Sequence, residues 1–291
     1  MDATTAIFLT IVTAATPLLL AAIGELVAER SGVLNLGVEG MMVMGAVAGF
    51  GAAFLSGSPY IGVIASIIAG MIMALLFGFL TLTLVSNQVA TGLSLTLLGL
   101  GLSGLLGESF VGEPGVRLPK WSGIDILIPV SFILTAAVAY VLFRTKAGLV
   151  IRAVGDSHNS AHALGYRVIA VRYACVLFGG ACAGLAGGYL SLVYTPQWIE
   201  NMTAGRGWIA LALVVFSSWL PWRVVAGAYL FGAISILSYM VQTFAMGIPS
   251  QLLSSLPYLV TILALVVISA NRRLTLTNTP ACLGQPFVPD R

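Results

Sequence analysis

The sequence predicts an all-α membrane protein of about nine spanning helices. Three observations carry this. Of 291 residues, 59% are hydrophobic and only 8% are charged, against about 25% charged in a soluble domain. That little charge cannot cover a water-facing surface of this size. Apolar runs near the roughly 20 residues a membrane helix needs recur from end to end. The breaks between them carry turn chemistry: Ser56-Gly57-Ser58-Pro59, Glu113-Pro114-Gly115, Thr195-Pro196 and Leu220-Pro221. No stretch is long and polar enough for a second domain, so residues 1–291 read as one transmembrane domain.

The elements follow in order. No Lys or Arg precedes the first apolar run and Asp2 is acidic, so Ala6–Ile23 reads as a span rather than a cleaved signal peptide. Further spans are expected at Val33–Leu55, Tyr60–Val85, Gln88–Leu106, Ile126–Phe143, Tyr173–Val193, Trp208–Leu220, Val224–Phe244 and Leu252–Ile268. The seventh is short enough to be tilted, broken or partly re-entrant, and the second could also be broken. Nine spans put the termini on opposite sides, and the positive-inside rule orients them. With the N-terminus outside, the inner segments hold Arg30, Arg144, Lys146, Arg152, Arg167, Arg172, Arg223, Arg272, Arg273 and Arg291. The outer loops hold only Arg117, Lys120 and Arg206. The C-terminal tail, 271–291, is then cytoplasmic. Trp121, Trp198 and Trp208 fall near the outer interface, and Trp219 and Trp222 near the inner one.

The inner segment 144–167 carries the clearest local pattern. Within it, Arg152–Arg167 reads RAVGDSHNSAHALGYR. Asp156 or Ser157 can cap a helix start and Gly165 can end it. About two turns lie between, with Ala161 and Leu164 expected on one face. So short a helix has too little apolar area to anchor in a membrane and suits docking to a partner protein.

This segment resembles the coupling helix of permease subunits in bacterial ATP-binding cassette (ABC) importers. The branch is the one serving nucleosides, simple sugars and branched-chain amino acids. Its pattern, Arg-Ala-x-Gly-x-x-x-x-Ala-Ala-x-x-x-Gly, is met by Arg152, Ala153, Gly155, Ala161 and Gly165, with Ser160 replacing the first Ala of the pair. Gly32–Met42, GVLNLGVEGMM, resembles the second-helix motif of nucleoside-type permeases. Gly24-Glu25-Leu26 and Glu29-Arg30-Ser31-Gly32 match the same subgroup, and the resemblance runs from about Pro17 to Ile268.

The resemblance implies two structurally related halves and transport by alternating access across the bacterial cytoplasmic membrane. The implied partners are an ATPase subunit using ATP and Mg, a second permease forming a heterodimer, and an extracytoplasmic substrate-binding protein. Nucleosides lead as solute, then simple sugars, then branched-chain amino acids. The coupling residues would be Arg152, Gly155, Asp156, Ser157, Ala161, Leu164 and Gly165. Independently of the resemblance, a phosphate loop needs GxxxxGK[ST], and neither Lys120 nor Lys146 completes one. Any ATPase is therefore a separate chain. No nucleic-acid partner is expected, because the basic residues follow the topology. An ion-coupled secondary transporter is the alternative class, weakened by the lack of a clear mid-membrane acid/base pair.

Other constellations have plainer readings. Gly101-Leu102-Ser103-Gly104 spells the GxSG of an intramembrane serine protease, but both histidines, His158 and His162, lie in the inner segment, so no catalytic set forms. Gly99, Gly101, Gly104 and Gly107 then serve helix packing. His158 and His162 share a helix face but have no third metal ligand nearby. Cys175, Cys182 and Cys282 form no CxxC pattern. Gly180, Gly184 and Gly188 recur every four residues, the spacing of close helix approach. Glu25, Glu29 and Arg30 read as interfacial charge that can reach water. Asn35, Gly37, Glu39 and Gly40 are the candidate pathway residues; the other reading of Glu39 is structural, as polar pairing with backbone or Asn35, and the third is proton coupling. On a helix starting at Val33, Glu39 stands ~9 Å from the inner start, and the glycines permit a bent or unwound turn.

Overall fold

The computed structural model describes residues 3–121, 123–243 and 278–288, with 252, 255–256, 259–260, 262–263 and 266 between them. Among these, seven helices are long and apolar enough to cross a membrane: Thr4–Arg30, Val38–Ser56, Pro59–Thr83, Gln88–Phe110, Leu127–Arg144, Val168–Tyr194 and Pro221–Val241. The expected ninth span, Leu252–Ile268, lies largely outside the described residues, as do Arg272, Arg273 and Arg291. In chain order the α-helices are α1 (Ala3–Arg30), α2 (Val38–Ser56), α3 (Pro59–Gly78), α4 (Gln88–Gly107), α5 (Leu127–Arg144), α6 (Lys146–Asp156), α7 (His158–Ala163), α8 (Val168–Tyr189), α9 (Arg206–Phe216) and α10 (Pro221–Thr243). Two-residue strands, Lys120–Trp121 and Ile124–Asp125, pair between α4 and α5.

The centre is α8, packed against α1, α2 and α3. It fits because it is nearly smooth on two sides. A Cβ on Gly184 would meet the Ser66 carbonyl of α3, one on Gly180 would meet Ala74, and one on Gly188 would meet Ser66 Oγ. On the other side Gly187 lies against the Met42 carbonyl of α2. Without side-chain bulk, backbones approach closely and dispersion contacts accumulate, which is how helices associate where no hydrophobic drive separates them from lipid. The periphery is the converse. In α2, 72% of the most apolar window is buried, against 28% in α4 and α10. The apolar side chains that α3 and α4 present outward, such as Ile64, Ile68, Ile72, Leu93 and Leu97, are those of a lipid-facing surface.

One element departs from its expected bounds, and a second takes a form the sequence leaves open. Span two does not start at Val33. Residues 31–37 form a buried non-helical loop, and helix begins only at Val38. Gly32 turns the chain at φ +87, Asn35 Oδ1 accepts from its own Gly37 N–H at 3.0 Å, and Glu25 Oε1 accepts from Asn35 N–H at 3.1 Å. These local bonds compete with the helix ladder. Span seven is only the 11-residue α9. It ends where Ser218 and Trp219 adopt left-handed backbone, at φ 50 and 55, before Pro221 starts α10.

Candidate functional site

The first site is built around Glu39, in the first turn of α2. Its Oε1 accepts from Thr203 Oγ1 at 2.6 Å and Gly205 N–H at 2.8 Å, and its Oε2 from Gly207 N–H at 2.6 Å. Gly205 is the N-cap of α9 and Gly207 lies in its first turn. A carboxylate here satisfies helix N–H groups that have no intrahelical partner and meets the positive end of the helix dipole. The depth follows from α4. Gly40 packs on Leu95, Thr96 and Gly99. Gly99 stands about 16 Å beyond Gln88 at 1.5 Å per residue, near the middle of Gln88–Phe110. Glu39 is therefore at mid-helix depth rather than ~9 Å from an end, because the loop 31–37 carries the chain inward before α2 begins.

α9 is thus a half-length helix starting in the interior. The segment before it enters along α4: Trp198 lies against Gly107, and Glu200 beside Gly104. Asn201, Ala204 and Gly205 all take positive φ, forming a tight turn whose Ile199, Glu200, Asn201 and Ala204 are exposed. Arg206 folds back over it, donating to Met202 O at 3.0 Å with its guanidinium 5.5 Å from the Tyr194 ring. Arg206 and Trp208, expected at the outer boundary, consequently lie at this interior turn.

The second site closes the far end of α9. Glu25, Glu29 and Arg30 do not reach water: they are 1%, 1% and 6% exposed. Trp219 Nε1 donates to Glu29 Oε2 at 2.5 Å, and Arg30 donates through Nε and Nη2 to the Trp219 carbonyl at 3.3 and 2.9 Å. A large residue in the left-handed region costs of order 1–3 kcal/mol. Three hydrogen bonds from α1 over-determine that conformation. Glu25 Oε2 is buried without a hydrogen-bond partner among the described residues.

The third site is the segment 144–167. α6 is a helix that the capping pattern did not announce; Thr145 caps it by accepting from Gly148 N–H at 3.2 Å. Ser157, not Asp156, is the N-cap of α7, accepting from Ser160 N–H at 3.3 Å. Gly165 follows at φ +87, a conformation few side chains accept. Ala161 and Leu164 do not share a face. Ala161 is 2% exposed and Leu164 77%, because Leu164 is the C-cap and helical periodicity no longer carries through it. Arg152 is half-buried with its guanidinium 5.3 Å from the Phe143 ring. Gly155 packs against the Arg30 carbonyl.

His158 and His162 do share a face, and it meets the tail: their rings stand 5.2 and 5.4 Å from Phe287. His158 Nδ1 lies 3.3 Å from Arg172 Nη2. Burial, then the Arg172 charge, holds its pKa below the usual histidine value.

The candidate pathway residues Asn35, Gly37, Glu39 and Gly40 are all buried, so within this chain they form a wall rather than an open lining. Gly180, Gly184 and Gly188 stand at the α3–α8 contact. Of the GxSG stretch, Gly101 faces open space, and Ser103 is buried with Oγ donating to Leu100 O at 3.0 Å. Sequence reasoning missed Thr203, Trp219 and Arg172. Thr203 and Trp219 are recognised by partners 164 and 190 positions away and Arg172 by partners up to 141 positions away, and no local pattern marks them.

Residues 7–268 match the family model described as branched-chain amino acid transport system / permease component. Among curated proteins, the chain is 39% identical to a protein of Haloferax volcanii named "Putative glucose ABC transporter permease protein", over 95% of both chains. It is 31% identical to a guanosine ABC transporter permease protein of Bacillus subtilis, over 94% of this chain and 93% of that one. It is 28% identical to a nucleoside ABC transporter permease protein of Lactococcus lactis, over 87% and 88%. Matched along nearly its whole length and built of apolar spanning helices, the chain belongs to the permease component family of branched-chain amino acid-type transport systems, as a multi-pass subunit of an ABC importer in the cytoplasmic membrane.

Proposed function

We propose that this permease carries nucleosides, by alternating access, from an extracytoplasmic binding protein to the cytoplasm. The observation that carries the reading is the Gly24–Met42 motif within full-length similarity to a guanosine permease and a nucleoside permease. A simple sugar is the second reading, favoured by the 39% identical relative named for glucose. The two solutes share chemistry: each is a neutral ring system bearing several hydroxyls.

In this proposal a second, different permease completes the path, and a separate ATPase using ATP and Mg docks on the 144–167 segment. Arg152, Gly155, Asp156, Ser157, Ala161, Leu164 and Gly165 shape that segment, with Leu164 on its outward side. The outward-facing Leu164 and Tyr166, 77% and 44% exposed, support a docking role for this segment. Glu39 holds the start of α9, with Asn35, Gly37 and Gly40 setting its backbone against α4, and the turn that Glu39 holds offers Glu200 and Asn201 to the solute. That arrangement is supported by the interior position of a half-helix, a feature that transporters use at their binding sites.

We also propose the full topology: one domain over 1–291, nine spans, N-terminus outside, tail 271–291 cytoplasmic and two related halves. Residues 278–288 lie against the loops after α1 and α3 and against α6, which supports an inner position for the tail. The test of the solute is uptake into vesicles holding the assembled complex and its binding protein. Labelled guanosine should accumulate only with ATP. Accumulation of glucose but not guanosine would transfer the assignment to the sugar reading. Uptake driven by an ion gradient without ATP would remove the importer mechanism.

A further inference from the structure

Six residues of α7 cannot bury a core of their own, and helices so short are marginal alone. α7 packs on α6 and α8, and the C-terminal segment Asn278–Val288 joins that contact. Phe287 packs with Val154, Ala161 and Val168 and contacts both histidine rings. The same segment is bonded through its backbone to α6, to the α1–α2 loop and to the end of α1. Cys282 N–H donates to Gly155 O at 2.9 Å, and Gly284 N–H to Gly32 O at 3.1 Å. Arg30 Nη1 donates to Asn278 O at 3.1 Å.

Arg172, at the start of α8 and 1% exposed, ties the parts together. Its Nε donates to Ser31 O at 3.2 Å and its Nη1 to Gln285 O at 3.0 Å, while Nη2 stands 3.3 Å from His158 Nδ1. One planar fork thus fastens α8 to the α1–α2 loop, to α7 and to the tail. Arginine suits this task because its donors have fixed geometry. The α1–α2 loop leads in turn through Asn35 and Gly37 into Glu39 and the start of α9.

We propose that Asn278–Val288 is a mechanical strap and Arg172 its positioning residue, making α7 and the α1–α2 loop move as one body so that displacement of α7 reaches the Glu39–α9 junction. This rests on the reading of α7 as the ATPase-docking helix.

The experiment measures three quantities on purified complexes: ATPase retained, ATP hydrolysed, and solute moved per ATP. The variants are Phe287→Ala, Arg172→Lys and a chain ended after Thr277. Each is expected to retain the ATPase and hydrolyse ATP. Solute moved per ATP should fall about tenfold, the scale of a typical coupling between sites. An unchanged ratio in all three overturns the strap. So does loss of the ATPase, or failure of both Phe287→Ala and the shortened chain to assemble, because transmission alone is not needed for assembly. Leu164→Asp is the separate check on α7: retention of the ATPase in that variant overturns the docking reading, whatever the strap variants show.

Discussion

Glu39 shows how one side chain sets the start of an element. Its two oxygens take three donors from one turn of chain, and hydrogen bonds to a charged group are worth roughly 1.5–3 kcal/mol each. Glu39→Gln keeps the size but aims an amide donor at one of those donors. It should lower stability by about 1–3 kcal/mol and slow uptake. A double-mutant cycle with Thr203→Val, read by thermal unfolding in detergent, should give a coupling of roughly 0.5–3 kcal/mol; additive effects would dismiss the bond as a contributor. His158 gives a pH dependence. Its pKa is depressed in the folded chain by burial and by Arg172, so below about pH 6.5 the unfolded or undocked form takes up protons first. Tail docking should be constant above that pH and weaken as pH falls below it. His162, Arg167 and Arg172 are other groups of basic type at this contact. Hydrogen exchange of residues 278–288 at pH 7.5 and 5.5 would measure it, and His158→Asn should flatten the difference.

Among elements, α8 was recognisable from its sequence as a helix with a smooth stripe, but not its neighbours. The small-residue spacing is local, whereas the surfaces it meets, Ser66 and Gly70 on α3 and Met42 on α2, come from elsewhere in the chain. Gly184→Val should be strongly destabilising, by about 1–3 kcal/mol or more, since the added carbons meet backbone that cannot yield. Gly101→Ala, where the Cβ meets open space, should be tolerated. Equal melting temperatures for the two would contradict the packing. α9 is short, as the apolar run Trp208–Leu220 allows, but its interior start is not legible in the sequence. Its composition is that of a span, yet it is half the length, because the chain enters through a turn of positive-φ residues and stops at the left-handed Trp219. Asn201 and Gly205 are residue types that accept positive φ, but Ala204 and Trp219 are not, and they take it where Glu39, Glu29 and Arg30 hold the ends. The Ala161–Leu164 face failed for a related reason, a helix that stopped one residue earlier than periodicity assumed.

At the scale of the whole molecule, the proposed orientation predicts labelling from opposite sides. In a Cys282→Ser background, Ser56→Cys should react with an impermeant thiol reagent added to intact cells, and Arg167→Cys only after the membrane is opened. The reverse pattern would invert the topology. The sequence by itself determined the class, most of the spans, the capped turn at Ser157–Gly165 and the family. Hydropathy, turn residues and contiguous motifs are local, and a membrane rewards local hydrogen bonding, so helices form where apolar runs permit. Only the tertiary structure decided what the charged residues do. Glu39 ends up capping a half-helix at mid-depth, Glu29 and Arg30 lock Trp219, and Arg172 joins α7 to the tail. A buried charge must find partners or be excluded, and those partners include residues 113 to 190 positions away, brought near only when the helices pack.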